Sequence, residues 1–212
     1  MNKALISLLS LLIFCSITYS QVEDNIEDLM DMSLEELLNM EISVASKEGR
    51  TIRESPGIVT LITKNQIQKM GAKDLIDVLN SIPGFAFAVD VEGIVGLGIR
   101  GNWGHEGKVL LLIDGEDMNE NLFSTTQFGR HYPVDLIERI EIIRGPGSAL
   151  YGGYAELSVI NIITKETDGL SFSQSLSWMK DTYGQRNISS SIGQRWNDLR
   201  VSVSFFLNEG NR

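Results

Sequence analysis

The residues best suited to chemistry in this sequence stand at its glycine-rich turns. Gly145-Pro146-Gly147 leads into Ser148. A P-loop phosphate cradle needs a lysine followed by serine or threonine at the start of the helix, but Ala149 and Leu150 follow Ser148. A G-x-S-x-G nucleophile elbow would need glycine where Pro146 and Leu150 stand. We therefore interpret this segment as a tight structural turn rather than a catalytic one.

A second glycine pattern is Gly96-Leu97-Gly98-Ile99-Arg100-Gly101, which satisfies the dinucleotide fingerprint G-x-G-x-x-G. That fingerprint works by placing a pyrophosphate at the N-terminus of a helix. The segment that follows, Asn102-Trp103-Gly104-His105, is not typical of a helix start. The required context is missing, so we reject a nucleotide site.

Metal and acid–base sites are equally unsupported. His105 and His131 lie far apart in sequence and neither has a partner at i+4, whereas Asp114, Glu116 and Asp117 lack the alternating ligands and glycine of a calcium loop. No nucleophile and base pair is visible. The sequence predicts no enzyme, no metal site and no cofactor.

Two apolar runs position the turn at Gly145-Pro146-Gly147. In the first run, Ile140 and Ile142 mix with charged residues, and the second, Val159 to Ile163, is mostly β-branched, so both are predicted strands. Ser148 can cap a single helical turn between them. The order is strand, turn, short helix, strand.

This stretch, ERIEIIRGPGSALYGGYAELSVINIITK, resembles the closing motif of the plug domain of TonB-dependent outer-membrane receptors. The family form ends in GP-x-S-x-LYG followed by a valine- or isoleucine-rich INI-x-TK strand. Glu156-Leu157-Ser158 departs from it, because the family usually has a small residue and a Gly-Gly pair there.

The preceding region reads as a compact α+β domain. A strand over Ile58 to Thr63 leads into a helix that begins at the capping-box spacing Thr63 to Gln66 and stops at Gly71, and a second helix spans Lys73 to Ile82. Its apolar face carries Leu75, Val78, Leu79 and Ile82, and its polar face Asp74 and Asp77. Further strands are predicted over Phe85 to Val89, Ile94 to Arg100 and Lys108 to Ile113, with Asp114-Gly115 as a turn.

These pieces also carry the resemblance, because ESPGIVTLIT, DLIDVLNSIPGF, GIRG and VLLLIDG are similar to successive plug motifs in family order. The match extends from about Glu41 to Lys165. The predicted fold class is therefore an α+β plug domain, a mixed sheet with short helices.

The N-terminus is typical of a secretory signal. Lys3 precedes the mostly apolar stretch Ala4 to Ile17, and Thr18-Tyr19-Ser20 offers small residues around a cut before Gln21. The only cysteine, Cys15, lies in this segment, and the bulky Phe14 before it disfavours lipid attachment. The mature chain is expected to carry no thiol and no disulfide.

The net charge argues against nucleic acid or an anionic membrane surface as a partner. Removing Lys3 leaves 17 basic against 28 acidic residues. Eight of the acidic residues lie between Glu23 and Glu41, where no basic residue occurs. This segment is predicted to be a solvated tail.

The segment MEISVASK, from Met40 to Lys47, alternates apolar and polar residues just before the folded region. An exposed strand is a template for pairing with another chain. It resembles the TonB box that receptors of this family offer to TonB, so Glu41, Ile42, Ser43, Val44 and Ala45 are candidate TonB contacts. An ordinary first strand remains the alternative.

Beyond Lys165 the periodicity changes to two. Leu170, Phe172, Leu176 and Trp178 alternate with serines, Leu199 to Leu207 alternates similarly, and a third strand fits between Arg186 and Trp196. Soluble sandwich strands alternate too, but export and the plug resemblance favour the first antiparallel strands of a transmembrane β-barrel. Three strands cannot close a barrel, so the sequence looks like the first portion of a receptor.

The resemblance also implies site roles. Arg100 and Arg144 match arginines that form an ion-pair lock with glutamates on the inner barrel wall; simple solvated strand ends are the alternative. Loops at the plug's outer end touch the ligand in such receptors. The candidate contacts are Trp103, His105, Phe123, Phe128, His131 and Tyr132, with packing against the barrel wall as the alternative.

The expected organisation is a signal peptide over 1–20, an acidic periplasmic tail with the TonB box over 21–53, the plug over 54–165 and incomplete barrel strands over 166–212. The resemblance implies active import, across the outer membrane, of scarce ligands such as ferric siderophores, haem or cobalamin. Its partners would be TonB with the ExbB/ExbD motor, a metal chelate as ligand, and outer-membrane lipid around the barrel. A free-standing secreted plug-like binding module or a non-functional truncated receptor is the alternative.

Overall fold

The structure is a computed structural model that describes residues 41–42, 50–51, 58–91, 93–104, 106–129, 131–147, 151–166, 169–179, 183–197 and 199–210. All of these belong to one compact unit, 39–212. The predicted signal peptide, most of the acidic tail and the predicted helical turn at Ser148 lie outside the described residues. The described helices include none long and apolar enough to cross a membrane.

A five-stranded mixed sheet forms the centre of the domain. Its strands are β3 (Val59–Thr63), β7 (Val109–Ile113), β8 (Glu116–Asp117), β9 (Ile137–Arg144) and β10 (Ser158–Thr164), in the order β3-β9-β10-β7-β8. Only the β10–β7 pair is parallel. Both faces of the sheet are covered, which explains why β7 is apolar at every position.

Two short helices pack against one face of this sheet. Helix α1 (Lys64–Met70) begins at the predicted capping box of Thr63 and Gln66 and ends at Gly71, whose φ is 62°. Helix α2 (Leu75–Asn80) buries Leu75, Val78 and Leu79 in the core, together with Ile76. The prediction for Asp74 was wrong: it is the buried N-cap of α2 and accepts from the Asp77 backbone at 3.0 Å, so it does not lie on the polar face.

A three-stranded antiparallel sheet lies between the helices and β7 in sequence. It contains β4 (Phe85–Val89), β5 (Val95–Ile99) and β6 (Asn102–Trp103). The β5–β6 turn consists of Arg100 and Gly101, with φ values of 51° and 82°, because a two-residue hairpin turn of this hand needs positive φ at both positions. A further short pair joins β1 (Glu41–Ile42) to β2 (Arg50–Thr51).

The chain then forms three long antiparallel strands, β11 (Gly169–Met179), β12 (Tyr183–Trp196) and β13 (Leu199–Gly210). The two faces of the β12–β13 pair differ in chemistry. One face exposes large apolar side chains, with Ile192 opposite Val203, and includes Trp196, Leu199, Val201, Phe205 and Leu207. The other face carries Ser189 and Ser191, which are both buried, and the Ser191 and Ser204 hydroxyls hydrogen bond at 2.9 Å; one large apolar side chain, the exposed Phe206, lies on this face opposite Ser189.

Candidate functional site

The fold brings Arg100 and Arg144 together, although 43 residues separate them in sequence. The Arg100 turn is tied to the start of β4 because its backbone N–H donates to the carbonyl of Gly84, the residue before that strand, at 2.7 Å. Arg144 ends β9, and its N–H donates to the Ile58 carbonyl at 2.8 Å. Arg100 Nη2 then donates to the Arg144 carbonyl at 3.4 Å, and Arg144 Nη1 to the Pro83 carbonyl at 3.5 Å.

The carbonyls of Arg144 and Pro83 are weak hydrogen-bond partners for the two guanidinium groups. Both distances exceed the usual range for N–H···O bonds. Arg144 Nε is buried and has no hydrogen-bond partner among the residues that the structure describes. Arg139 and Glu141 form an ion pair at 2.9 Å, and it involves neither Arg100 nor Arg144. Arg100 and Arg144, called the cationic pair below, therefore have long hydrogen bonds to neutral carbonyls, and a carboxylate would be a stronger partner for either guanidinium group.

Three of the predicted ligand contacts are accessible. Trp103 is 36% exposed, and its ring lies over Gly96, where an added Cβ would stand 2.4 Å from Trp103 Cζ2. Phe123 is 60% exposed. His131 is also exposed, and its ring is edge-on to that of Tyr132, with 6.5 Å between the centroids.

Phe128 and Tyr132 lie in the hydrophobic core instead. The Phe128 ring packs edge-on against Phe87 with 5.0 Å between centroids. Burial raises the pKa of Tyr132, because desolvation disfavours the phenolate. The structure thus corrects the grouping of these two aromatics with the exposed loop residues: their rings contribute to packing inside the domain. His105 lies outside the described residues.

The TonB-contact candidates are only partly described. Glu41 and Ile42 form β1, where Glu41 pairs with Thr51 and Ile42 with Arg50. Ser43, Val44 and Ala45 lie outside the described residues. Within the alternating segment Met40 to Lys47, the structure describes a strand at Glu41 and Ile42.

The loop that contains Phe123 also holds Asn119, Glu120 and Leu122, which the sequence analysis did not single out. Residues 119–124 follow β8 and expose Leu122, at 77%, beside Phe123. Asn119 and Glu120 fasten this loop through their side chains. The tendency of such polar side chains to bond the nearby backbone was the available signal.

The described residues form an α+β domain followed by long antiparallel strands, as expected for a plug domain with the first strands of a barrel. Comparison with known proteins leads to the same class. The TonB-dependent receptor plug domain family matches residues 51–156, half of the chain. The chain belongs to this family. The predicted fold class, and the identification as the plug portion of a TonB-dependent receptor, are confirmed.

Individual relatives support the same class. The vitamin B12 transporter BtuB of Vibrio vulnificus (strain CMCP6) is 35% identical over 133 residues, which cover 60% of this chain and 21% of the transporter. A mutant ferric enterobactin receptor (PfeA) from Pseudomonas aeruginosa shares 26% identity at a TM-score of 0.56, covering 78% of this chain and 26% of the receptor.

A third relative supports the fold alone. The ferripyoverdine receptor of the outer membrane of Pseudomonas aeruginosa shares 18% identity at a TM-score of 0.58, over 79% of this chain and 22% of that receptor. The chain thus spans between a fifth and about a quarter of the length of these relatives. The predicted outer-membrane localisation is confirmed by the match to the plug-domain family and by the BtuB relative.

Proposed function

We propose that this chain is the plug-bearing portion of a receptor that actively imports a scarce ligand across the outer membrane. The candidate ligands are ferric siderophores, haem and cobalamin. The carrying observation is that one chain joins a family plug domain to long strands with one exposed apolar face and one serine-rich face. That alternation suits strands with lipid on one side and a polar lumen on the other.

The plug would gate the lumen, and no bond chemistry would be involved. Work would come from TonB and its inner-membrane motor, through the segment Glu41 to Ala45. Pairing with TonB as an added strand relies on backbone hydrogen bonds, which tolerate varied side chains but not proline. The pairing of β1 with β2 supports the ability of this segment to adopt an extended strand.

The cationic pair of Arg100 and Arg144 would lock the plug to the barrel wall. Support comes from the buried Nε of Arg144 and from the long bonds of both guanidinium groups. Glutamates of the wall would supply bidentate partners. Trp103, Phe123 and His131 would contact the ligand.

Uptake by the full-length receptor tests this function. A strain lacking its other receptors for these ligands would be supplied with ferric enterobactin, ferripyoverdine or vitamin B12, and cell-associated ligand measured. Val44→Pro should abolish uptake while surface binding persists, whereas Val44→Ala, which keeps the backbone donor, should retain both. Unimpaired uptake by the proline variant would refute TonB pairing at this segment, and a receptor that binds and imports none of the three would contradict these ligands as its cargo.

A further inference from the structure

The side chain of Asn119 ties the loop at 119–124 to the central sheet. Its Oδ1 accepts from the Leu111 backbone at 2.9 Å, and its Nδ2 donates to the Val109 carbonyl at 2.8 Å and to the Ser124 carbonyl at 2.9 Å. The carboxamide thus takes the place of a backbone peptide beside β7 and uses its acceptor oxygen and both N–H donors. It fixes both ends of the loop at once.

The side chain of Glu120 fastens the tip of the same loop. Oε1 accepts from the Leu122 N–H at 2.6 Å and Oε2 from the Phe123 N–H at 2.8 Å. Hydrogen bonds to a carboxylate are stronger than those between neutral groups. The Glu120 N–H also donates to the Thr125 carbonyl at 2.9 Å, which closes the loop at its base.

What these bonds hold in place is an apolar tip. Leu122 and Phe123 are 77% and 60% exposed, although burying either side chain would be favourable. The 55% exposed Tyr154 lies beside the loop: a Cβ on Gly107 would stand 3.0 Å from Tyr154 Cδ1 and 3.7 Å from Ser124 Cβ. Glycine at position 107 therefore lets the Tyr154 ring approach the loop.

We propose that Asn119 and Glu120 are positioning residues, which pre-form the loop so that Leu122 and Phe123 meet the apolar or aromatic face of the imported ligand. This inference rests on the proposed function. A loop already ordered before binding loses less conformational freedom when the ligand arrives. Two polar side chains that hold only backbone groups, beneath two exposed apolar side chains, are the arrangement such a contact requires.

Backbone hydrogen exchange in the full-length receptor tests the positioning role without any ligand. Glu120→Ala should speed exchange at the Leu122 and Phe123 amides about tenfold or more, because it removes both acceptors. Glu120→Gln retains one acceptor oxygen and should have an intermediate effect. Glu116→Ala, at an exposed glutamate of β8, is the matched control and should leave these amides unchanged. Equal exchange in Glu120→Ala and the unaltered receptor would overturn the proposal.

Ligand binding then separates positioning from mere loop stability. With ferric enterobactin, ferripyoverdine and vitamin B12 as probes, Phe123→Ala and Glu120→Ala should each weaken binding of the recognised probe about tenfold, but only Glu120→Ala should alter exchange. Fast exchange with unchanged affinity in Glu120→Ala would also overturn the proposal. If the unaltered receptor binds none of the probes, the proposed ligands are wrong, while the exchange result still decides whether Glu120 positions the tip.

Discussion

Replacing both Arg100 and Arg144 by alanine in the full-length receptor should loosen the plug without removing the barrel from the membrane. Within the described residues the lost bonds are small. The 3.4 and 3.5 Å contacts with backbone carbonyls lie at the outer limit of hydrogen bonding, so we expect less than about 1 kcal/mol from them. Among the described residues, Arg144 Nε makes no hydrogen bond that would offset the cost of its burial.

A wall carboxylate changes this magnitude. If the cationic pair is held in a partly desolvated, bidentate contact, removing the arginines leaves that carboxylate without a partner, at a cost of about 3 to 5 kcal/mol. The loss of plug stability expected from the lock is therefore several-fold larger than the loss expected if both arginines are simple solvated strand ends. Arg144→Lys discriminates further, since lysine keeps the charge but cannot form the planar fork, and should give an intermediate loss.

The assay has two readouts: entry of antibiotics normally excluded by the outer membrane, and cleavage of the plug by added protease. Both should increase in the double variant, while Arg186→Ala, at an exposed arginine of β12, should match the unaltered receptor. Barrel folding is followed separately by heat-modified electrophoretic mobility. Unchanged permeability and unchanged cleavage in the double variant would refute the lock and return both arginines to the solvated interpretation.

The remaining predictions concern the plug itself. Gly147→Ala should destabilise the plug by about 1 to 3 kcal/mol, because the new Cβ would lie 2.4 Å from Cγ2 of the buried Val159. The control Gly153→Ala, whose Cβ would have nothing within 4 Å, should be near neutral. Both are measured as resistance of the plug to proteolysis in a denaturant titration. Burial, followed by the charge of Lys64, lowers the pKa of Lys165 to about 8, so the unfolded chain binds more protons between pH 8 and 10.5. The free energy of unfolding of the plug should therefore rise across this window, by about 1 to 2 kcal/mol after solvent screening, although the charges of Asp135 and Glu138 oppose the pKa shift. Lys165→Met should abolish this rise in stability, which is followed as resistance of the plug to proteolysis at each pH. An equal rise in both proteins would contradict the assignment to Lys165.

Periodicity was sufficient to predict most of the strands. Phe85–Val89 has the bounds expected from its sequence, and the runs before and after Gly145-Pro146-Gly147 form β9 and β10 as neighbours in one sheet. The capping box at Thr63 was equally readable, because its bonds span only three residues. Such features depend on contacts within one segment, which a sequence displays directly.

Contacts between segments were not readable in this way. Nothing in the local sequence of Phe128 distinguishes it from Phe123, yet one ring packs on Phe87 in the core and the other is exposed. The loop turns between them at Ser124, whose φ is 52°, and both Thr126 and Phe128 beyond that turn are buried. Asn119 was missed for the same reason, since two of its partners lie on β7, eight and ten residues earlier.

Arg100 shows how a sequence can mark a site without giving its geometry. A turn with positive φ at both positions favours asparagine or aspartate followed by glycine, and a long side chain in the left-handed conformation costs roughly 1 kcal/mol. Arginine at this position therefore has no local advantage. The turn does, however, aim its guanidinium group at the end of β9, where Arg144 Nε is buried without a partner. The proposed lock would explain both the strained turn at Arg100 and the buried donor of Arg144, which has no partner among the described residues, because a carboxylate of the barrel wall would supply the missing acceptor.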